Sequence, residues 1–190
     1  MIEFHEIHHY VVVVIAAILV MIALSNKRFL DRLKLTDDIE CYESEIPGGF
    51  VSILVPARDE EERIGQCLES LMSDPYQNLE VVVLDDNSTD KTAEIVLRCA
   101  SKDNRIRLIK GDKLPSGWIG KHWASHQLSE EAAGHYLLFI DADTILARGT
   151  VKSSLYEVHA RNADLLTAIP KRSAQCMAER LMFPFIDWAV

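Results

Sequence analysis

From Phe50 onward, short apolar runs alternate with stretches in which apolar residues recur every three or four positions, the rhythm of strands joined by helical crossovers. Residues 51–55 read as a first strand, which Pro56 ends. A helix should follow, with Ile64, Cys67, Leu68 and Leu71 on one face and the acids Glu61 and Glu62 at its positive end. Residues 79–84 form a second apolar run, followed by a helix expected to bury Ala93, Val96, Leu97 and Ala100. Residues 106–109, interrupted by Arg107, read as an edge strand. The loop 111–117 leads into a helix that Gly134 would cap. Residues 136–140 carry Leu137, Leu138, Phe139 and Ile140 in a row, which suits a central strand covered on both faces. A helix with Val151, Leu155 and Val158 and a last strand over 164–169 complete five expected strands. The class is α/β: a mostly parallel sheet with helices on both faces.

The N-terminal segment has a different rhythm. Residues 10–24 are uncharged, and as a helix they span roughly 22 Å against the roughly 30 Å of a hydrocarbon core. Ile7, His8, His9 and Ser25 extend the run to a marginal span. Glu3 and Glu6 precede it where a cleaved signal would carry basic residues, and Lys27, Arg28, Arg32 and Lys34 follow it. These charges predict a transmembrane helix over 1–26 in the cell membrane, single-pass, with the following domain cytoplasmic. A buried core helix is the alternative. His5, His8 and His9 suit an interfacial position better than a metal site. Phe29, Leu30, Leu33 and Leu35 alternate with basic residues, as in a helix lying on an anionic membrane or in a plain linker. Ile46-Pro47-Gly48-Gly49 breaks the chain. The expected domains are thus an anchor at 1–26, a basic linker at 27–49, the α/β domain at 50–176, and an apolar segment at 177–190 that begins a further part.

Composition narrows the function. An apolar fraction of 48% over 190 residues supports a real core, and a formal charge of −9 argues against a nucleic-acid partner. Cys41, Cys67, Cys99 and Cys176 lie far apart without a Cys-x-x-Cys pair, so they read as reduced, mostly buried thiols. Gly120-Lys121 is not a phosphate loop, because Pro115 and His122 stand where that motif needs Gly and Ser or Thr. Lys121 at a helix N-terminus can still meet a phosphate. His122 and His126 are four apart but lack the glutamate of a zinc helix.

The candidate chemistry lies in acids at strand ends. Asp59 and Glu60 follow the first strand, Asp85 and Asp86 the second, and Asp141 and Asp143 the strand at 136–140. Ligands of parallel sheets bind at the carboxyl ends of the strands, so the three clusters should meet at one edge. One of Ser88, Thr89 and Asp90 is expected to cap a helix, but adjacent Asp85 and Asp86 repel unless a ligand accepts them. Asp141 and Asp143 suit a hard divalent cation holding the phosphates of a nucleotide.

In order along the chain, these residues resemble the family 2 glycosyltransferases of the GT-A fold, over about residues 50–172. Val55-Pro56-Ala57-Arg58-Asp59-Glu60 is similar to that family's first nucleotide-binding loop. Asp85-Asp86-Asn87-Ser88-Thr89-Asp90 is similar to its Asp-Asp-x-Ser-x-Asp motif, and Asp141-Ala142-Asp143 to its metal-binding Asp-x-Asp. The run from Leu114 to Ala124, with Trp118, Lys121 and Trp123, resembles a motif of the membrane-bound branch that contains hopene-associated, carotenoid and ceramide glycosyltransferases. The resemblance implies a donor site of Pro56, Ala57, Arg58, Glu60, Asp85, Asp86, Lys121, Asp141 and Ala142. It also implies a Mg or Mn ion on Asp141 and Asp143. The implied reaction is inverting transfer of a sugar from a nucleotide-diphosphate sugar, UDP-linked by preference, to a hydroxyl or carboxyl of a lipid-like acceptor. The family's carboxylate base is expected beyond Val190. A nucleotidyltransferase, or a nucleotide-sugar binding module without turnover, are the competing readings; the first loop is acidic where a nucleotidyltransferase carries glycine and lysine.

Overall fold

The computed structural model describes residues 4–29, 49–168 and 177, with side chains of the first helix over 9–22. The linker at 30–48, Cys41, Cys176 and the apolar segment at 178–190 lie outside the described residues. Helix α1 (Phe4–Phe29) belongs to a different compact unit from the body that follows. Its side chains from His9 to Ile22 are exposed. No helix among the described residues is long and apolar enough to cross a membrane, and the expected transmembrane anchor is not confirmed.

The body runs β1 (Val51–Ala57), α2 (Ile64–Met72), β2 (Leu79–Asp85), α3 (Thr92–Ala100), β3 (Ile106–Lys110), α4 (Gly120–Glu131), β4 (Tyr136–Phe139) and α5 (Thr150–Ala160). The strands form a parallel sheet in the order β3-β2-β1-β4. Side chains alternate between the faces, as the pleat requires. Val51, Ile53 and Val55 of β1 and Val81 and Val83 of β2 pack with α2, α3 and α5, whereas Leu54, Val82 and Leu84 meet Ala124 and Leu128 of α4. Helices therefore cover both faces, as expected. Ile64, Cys67, Leu68 and Leu71 are all buried on α2. Burial pushes the Cys67 thiol up to about 12, with the charge of Asp143 adding to the effect, so this free cysteine is an inert part of the core.

Three expectations fail for one reason, the absence of a covering neighbour among the described residues. Residues 164–168 form no strand, and Leu165 is 82% exposed. Strand β4 lies at an edge of the described sheet rather than in its centre, and Leu137 and Phe139, on the α4 side, are exposed. Leu97 faces solvent, and α3 instead buries Thr92 and Val96. Gly134 is not the cap of α4, which ends at Glu131 and is capped by Ala132. It is glycine because a Cβ there would lie 2.5 Å from the backbone nitrogen of Ser52 and 2.9 Å from the carbonyl of Phe50.

That close approach seats a polar network at the amino end of the sheet. Gly134 N–H donates to Ser52 Oγ at 2.8 Å, and Ser52 donates to Glu80 at 2.5 Å. Glu80 also accepts from Ala133 N–H at 2.8 Å and from Arg107 Nε at 3.1 Å. Arg107 then reaches the carboxylate and carbonyl of Glu131. Helix α4 is thereby tied at its far end to three strands, which fixes where its first turn points. Partial burial opposes ionisation of Glu80, but bonds from the Ser52 hydroxyl, Ala133 N–H and Arg107 outweigh it and hold the carboxyl below its usual range. Because the folded value is the lower one, this stabilisation is present above the ordinary 4.5 and lost as pH falls through the folded value. Glu80→Gln is expected to cost about 1–2 kcal/mol at neutral pH. Urea unfolding at a series of pH values should show the gap to wild type closing in acid; a gap independent of pH would refute the charged network.

Candidate active site

The site lies at the carboxyl edge of the sheet and rests on two interlocked loops. The β1–α2 loop places Asp59 at φ +53°, and the β2–α3 loop places Asn87 at φ +57°, left-handed conformations that Asp and Asn tolerate best among residues with a Cβ. The loops then exchange hydrogen bonds. Asp59 N–H donates to Ser88 Oγ at 3.0 Å, while Thr89 N–H donates to Asp59 Oδ1 at 2.7 Å. Glu60 N–H donates to Thr92 Oγ1, Glu61 N–H to Asp90, and Lys91 N–H returns to Glu61. Asp90 also accepts from both the N–H and the hydroxyl of Thr92. These bonds outweigh the desolvation of Asp90 and hold its carboxyl below the usual range. Ser88, Thr89 and Asp90 thus brace two loops together, where the sequence suggested one ordinary helix cap.

Bracing leaves a defined set of groups facing outward. Asp86 N–H donates to Ala57 O at 2.9 Å, and its carboxylate lies 3.7 Å from the Arg58 guanidinium. Asp85 spends one carboxylate oxygen on Ser88 N–H at 3.1 Å, so Asp86 is the freer of the pair. Gly111 N–H reaches Asp85 O at 2.9 Å, and a Cβ there would be crowded by Leu84 Cδ2 at 3.0 Å and by that oxygen at 3.2 Å. At the first turn of α4, Lys121 Nζ lies 2.7 Å from Asp141 Oδ1. Pro56, Lys121, Ser125, Phe139, Ile140 and Asp141 line an open cleft of about 220 Å³. Ala57 and Ala142 are buried with their methyl groups in the core, which leaves only their main chain for a ligand.

Arg63 was not anticipated. Its NH1 lies 3.9 Å from Glu60 and 4.0 Å from Asp143, so a cation stands beside each acid of the Asp141–Asp143 pair. An exposed arginine just before a helix carries no signal in the sequence; only the fold brings it to the strand end. Ser125 was equally silent, although it sits four residues from Lys121 and therefore on the same helix face.

The Asp141–Asp143 loop is held from behind. Ser70 Oγ accepts Leu146 N–H at 3.0 Å, and the buried Asp74 carboxylate accepts Gly149 N–H at 2.9 Å and Tyr76 N–H at 3.0 Å. The two site acids themselves remain about half exposed. No cluster of three His, Cys, Asp or Glu able to enclose a metal occurs among the described residues. Two open carboxylates at a strand end do fit a hard cation that keeps water and substrate phosphate as its other ligands.

Fold and site together define a parallel α/β domain that gathers acids and one lysine where such sheets bind nucleotides. The sequence matches glycosyl transferase family 2 over residues 52–180, and the chain belongs to that family. It is 32% identical over 111 residues to 4,4'-diaponeurosporenoate glycosyltransferase of Staphylococcus haemolyticus, covering 58% of this chain and 28% of that one. It is 36% identical over 110 residues to beta-monoglucosyldiacylglycerol synthase of Nostoc sp., covering 56% and 23%. Its structure aligns with S. aureus TarS 1-349 in complex with UDP-GlcNAc at a TM-score of 0.53 and 26% identity, over 66% of this chain and 37% of that one. The fold is shared with a mannosyltransferase from Pyrobaculum calidifontis, in complex with GDP-Man and Mn2+, at a TM-score of 0.58 and 24% identity, over 77% and 42%. The chain spans less than half the length of each of these proteins.

Proposed function

We propose that this chain carries the donor half of a glycosyltransferase that takes a sugar from a nucleotide-diphosphate sugar, UDP-linked by preference, to a lipid-like acceptor. The observation that carries the proposal is the meeting of Asp86, Asp141, Asp143 and Lys121 at one edge of the sheet. The base would lie between the Pro56 segment and Asp86, with Arg58 swinging from Asp86 to stack on it. Lys121 would exchange Asp141 for a diphosphate oxygen, helped by the positive end of α4. Asp141 and Asp143 would hold a Mg or Mn ion, which when bound stabilises the charge growing on the leaving diphosphate. The acceptor oxygen would attack the anomeric carbon from the face opposite that diphosphate, inverting its configuration, with the carboxylate base contributed from outside residues 1–190.

A lipid acceptor is supported by two relatives whose names specify a carotenoid acid and a diacylglycerol product. Membrane contact is supported by α1, whose Tyr10, Val13, Leu19 and Met21 are at least 60% exposed. Calorimetry of the full chain with UDP- and GDP-sugars, with and without manganese, tests the donor reading. Binding that strengthens with manganese is expected, and no binding of any nucleotide sugar would remove it.

A further inference from the structure

The loop between β3 and α4 is open to solvent, yet its chemistry is not that of a solvated loop. Leu114, Trp118 and Ile119 are 54%, 42% and 67% exposed. Trp118 is held in place, stacked on His126 at 5.2 Å and edge-on to Trp123 at the same distance, so its ring stays at the surface. Around these apolar tips the charge runs against the rest of the protein. Between Ile106 and Leu128 there are four basic residues, Arg107, Lys110, Lys113 and Lys121, against the single acid Asp112, in a chain of net charge −9. Arg107 and Lys121 are committed to Glu80, Glu131 and Asp141. Lys110, at the end of β3, and Lys113, next to Leu114 in the chain, are exposed.

We propose that this loop, residues 112–119, docks on an anionic lipid bilayer. An indole and two aliphatic side chains on a fixed loop suit the depth of the headgroups, where an amphipathic ring is at home. Lysines at the foot of the same loop suit the anionic headgroups themselves, each contributing about 1 kcal/mol near such a surface. Local charge complementarity selects this occupant: at the loop the exposed Lys110 and Lys113 outnumber the one acid, Asp112, and so match an anionic surface. Position gives the contact a purpose: Ile119 lies two residues before Lys121, so docking would hold the mouth of the donor site against the layer that holds a lipid acceptor. The inference rests on the proposed lipid-directed transfer and deepens it.

The test uses the full chain with Trp123→Phe and Trp188→Phe, which leaves Trp118 as the sole indole. Vesicles of phosphatidylcholine with phosphatidylglycerol, carrying brominated acyl chains, should quench most of its emission, and pure phosphatidylcholine vesicles should quench little. Lys113→Gln in the wild-type background should weaken affinity for the anionic vesicles about fivefold, the equivalent of about 1 kcal/mol per basic residue. Vesicle-bound protein whose Trp118 stays unquenched overturns the proposal, because α1 alone then makes the contact. So does self-association that removes Trp118 from solvent without lipid. Should the double variant fail to fold, Leu114→Ser with Ile119→Ser takes its place, and vesicle affinity equal to wild type overturns the proposal. Nucleotide-sugar binding is read on the same samples: its loss in wild type sinks the transferase reading, while intact binding without docking sinks only this one.

Discussion

Asp143→Ala is expected to abolish the manganese dependence of nucleotide-sugar binding while leaving the unfolding free energy within about 0.5 kcal/mol of wild type. The two halves of that expectation have different origins. Asp143 is 52% exposed, and its recorded ion pair is the 4.0 Å approach of Arg63. A pair in that setting contributes between about 0 and 1 kcal/mol, so the fold has little to lose. The metal has much to lose, since the described residues offer it only the two carboxylates of this loop and one already faces Lys121 at 2.7 Å. Removing Asp143 leaves a lone carboxylate paired with an ammonium group, which cannot compete with water for a hydrated dication. Manganese affinity should drop at least about 100-fold, beyond the loss typical of a supporting residue. Calorimetric titrations with and without the metal measure it directly. A metal effect as large as that of wild type would take Asp143 out of the site, whatever the nucleotide does.

The contrast between what could and could not be read in advance has a common physical source. Runs such as Val81, Val82 and Val83 announce a buried strand because burial of both faces is a property of the run itself. The same rule misplaced Leu137 and Phe139, because whether a neighbour covers a strand is decided elsewhere in the chain. Likewise, the acids at the strand ends were legible from position, since parallel strands all end at one edge. Their partners were not: Arg63 lies 80 residues from Asp143, and Ser88 lies 29 residues from Asp59, so only the fold pairs them. Gly134 shows the same limit from the other side. Glycine after a helix reads as a cap, yet here it answers to the backbone of Ser52 on another strand.

Asp74 is the residue of this kind with the largest expected effect, and nothing in its sequence context singles it out. It is 1% exposed, with one oxygen accepting Tyr76 N–H and the other Gly149 N–H across 75 residues. Gly149 itself sits at φ +79°, at the start of α5, a conformation that a single hydrogen bond to its nitrogen helps define. Asp74→Ala strands the buried Gly149 N–H and takes the acceptor from the partly buried Tyr76 N–H, at about 1–3 kcal/mol for a buried donor left unpaired, so a loss of about 3 kcal/mol in urea unfolding is expected. Asn at the same position keeps one acceptor and should recover roughly a third to a half of that loss. The consequence for the site follows from the chain path. Asp141, Asp143, Leu146 and Gly149 belong to one loop, pinned at Leu146 by Ser70 and at Gly149 by Asp74. With the second pin gone, the loop keeps its sequence but not its fixed end. Hydrogen exchange of the 144–149 amides should accelerate, and manganese affinity should weaken about 10- to 100-fold in the protein that remains folded, the range seen when groups behind a metal ligand are removed. A folded Asp74→Ala protein with wild-type manganese affinity would show that the acids hold their geometry without this support, and would reduce Asp74 to a stabiliser of the core.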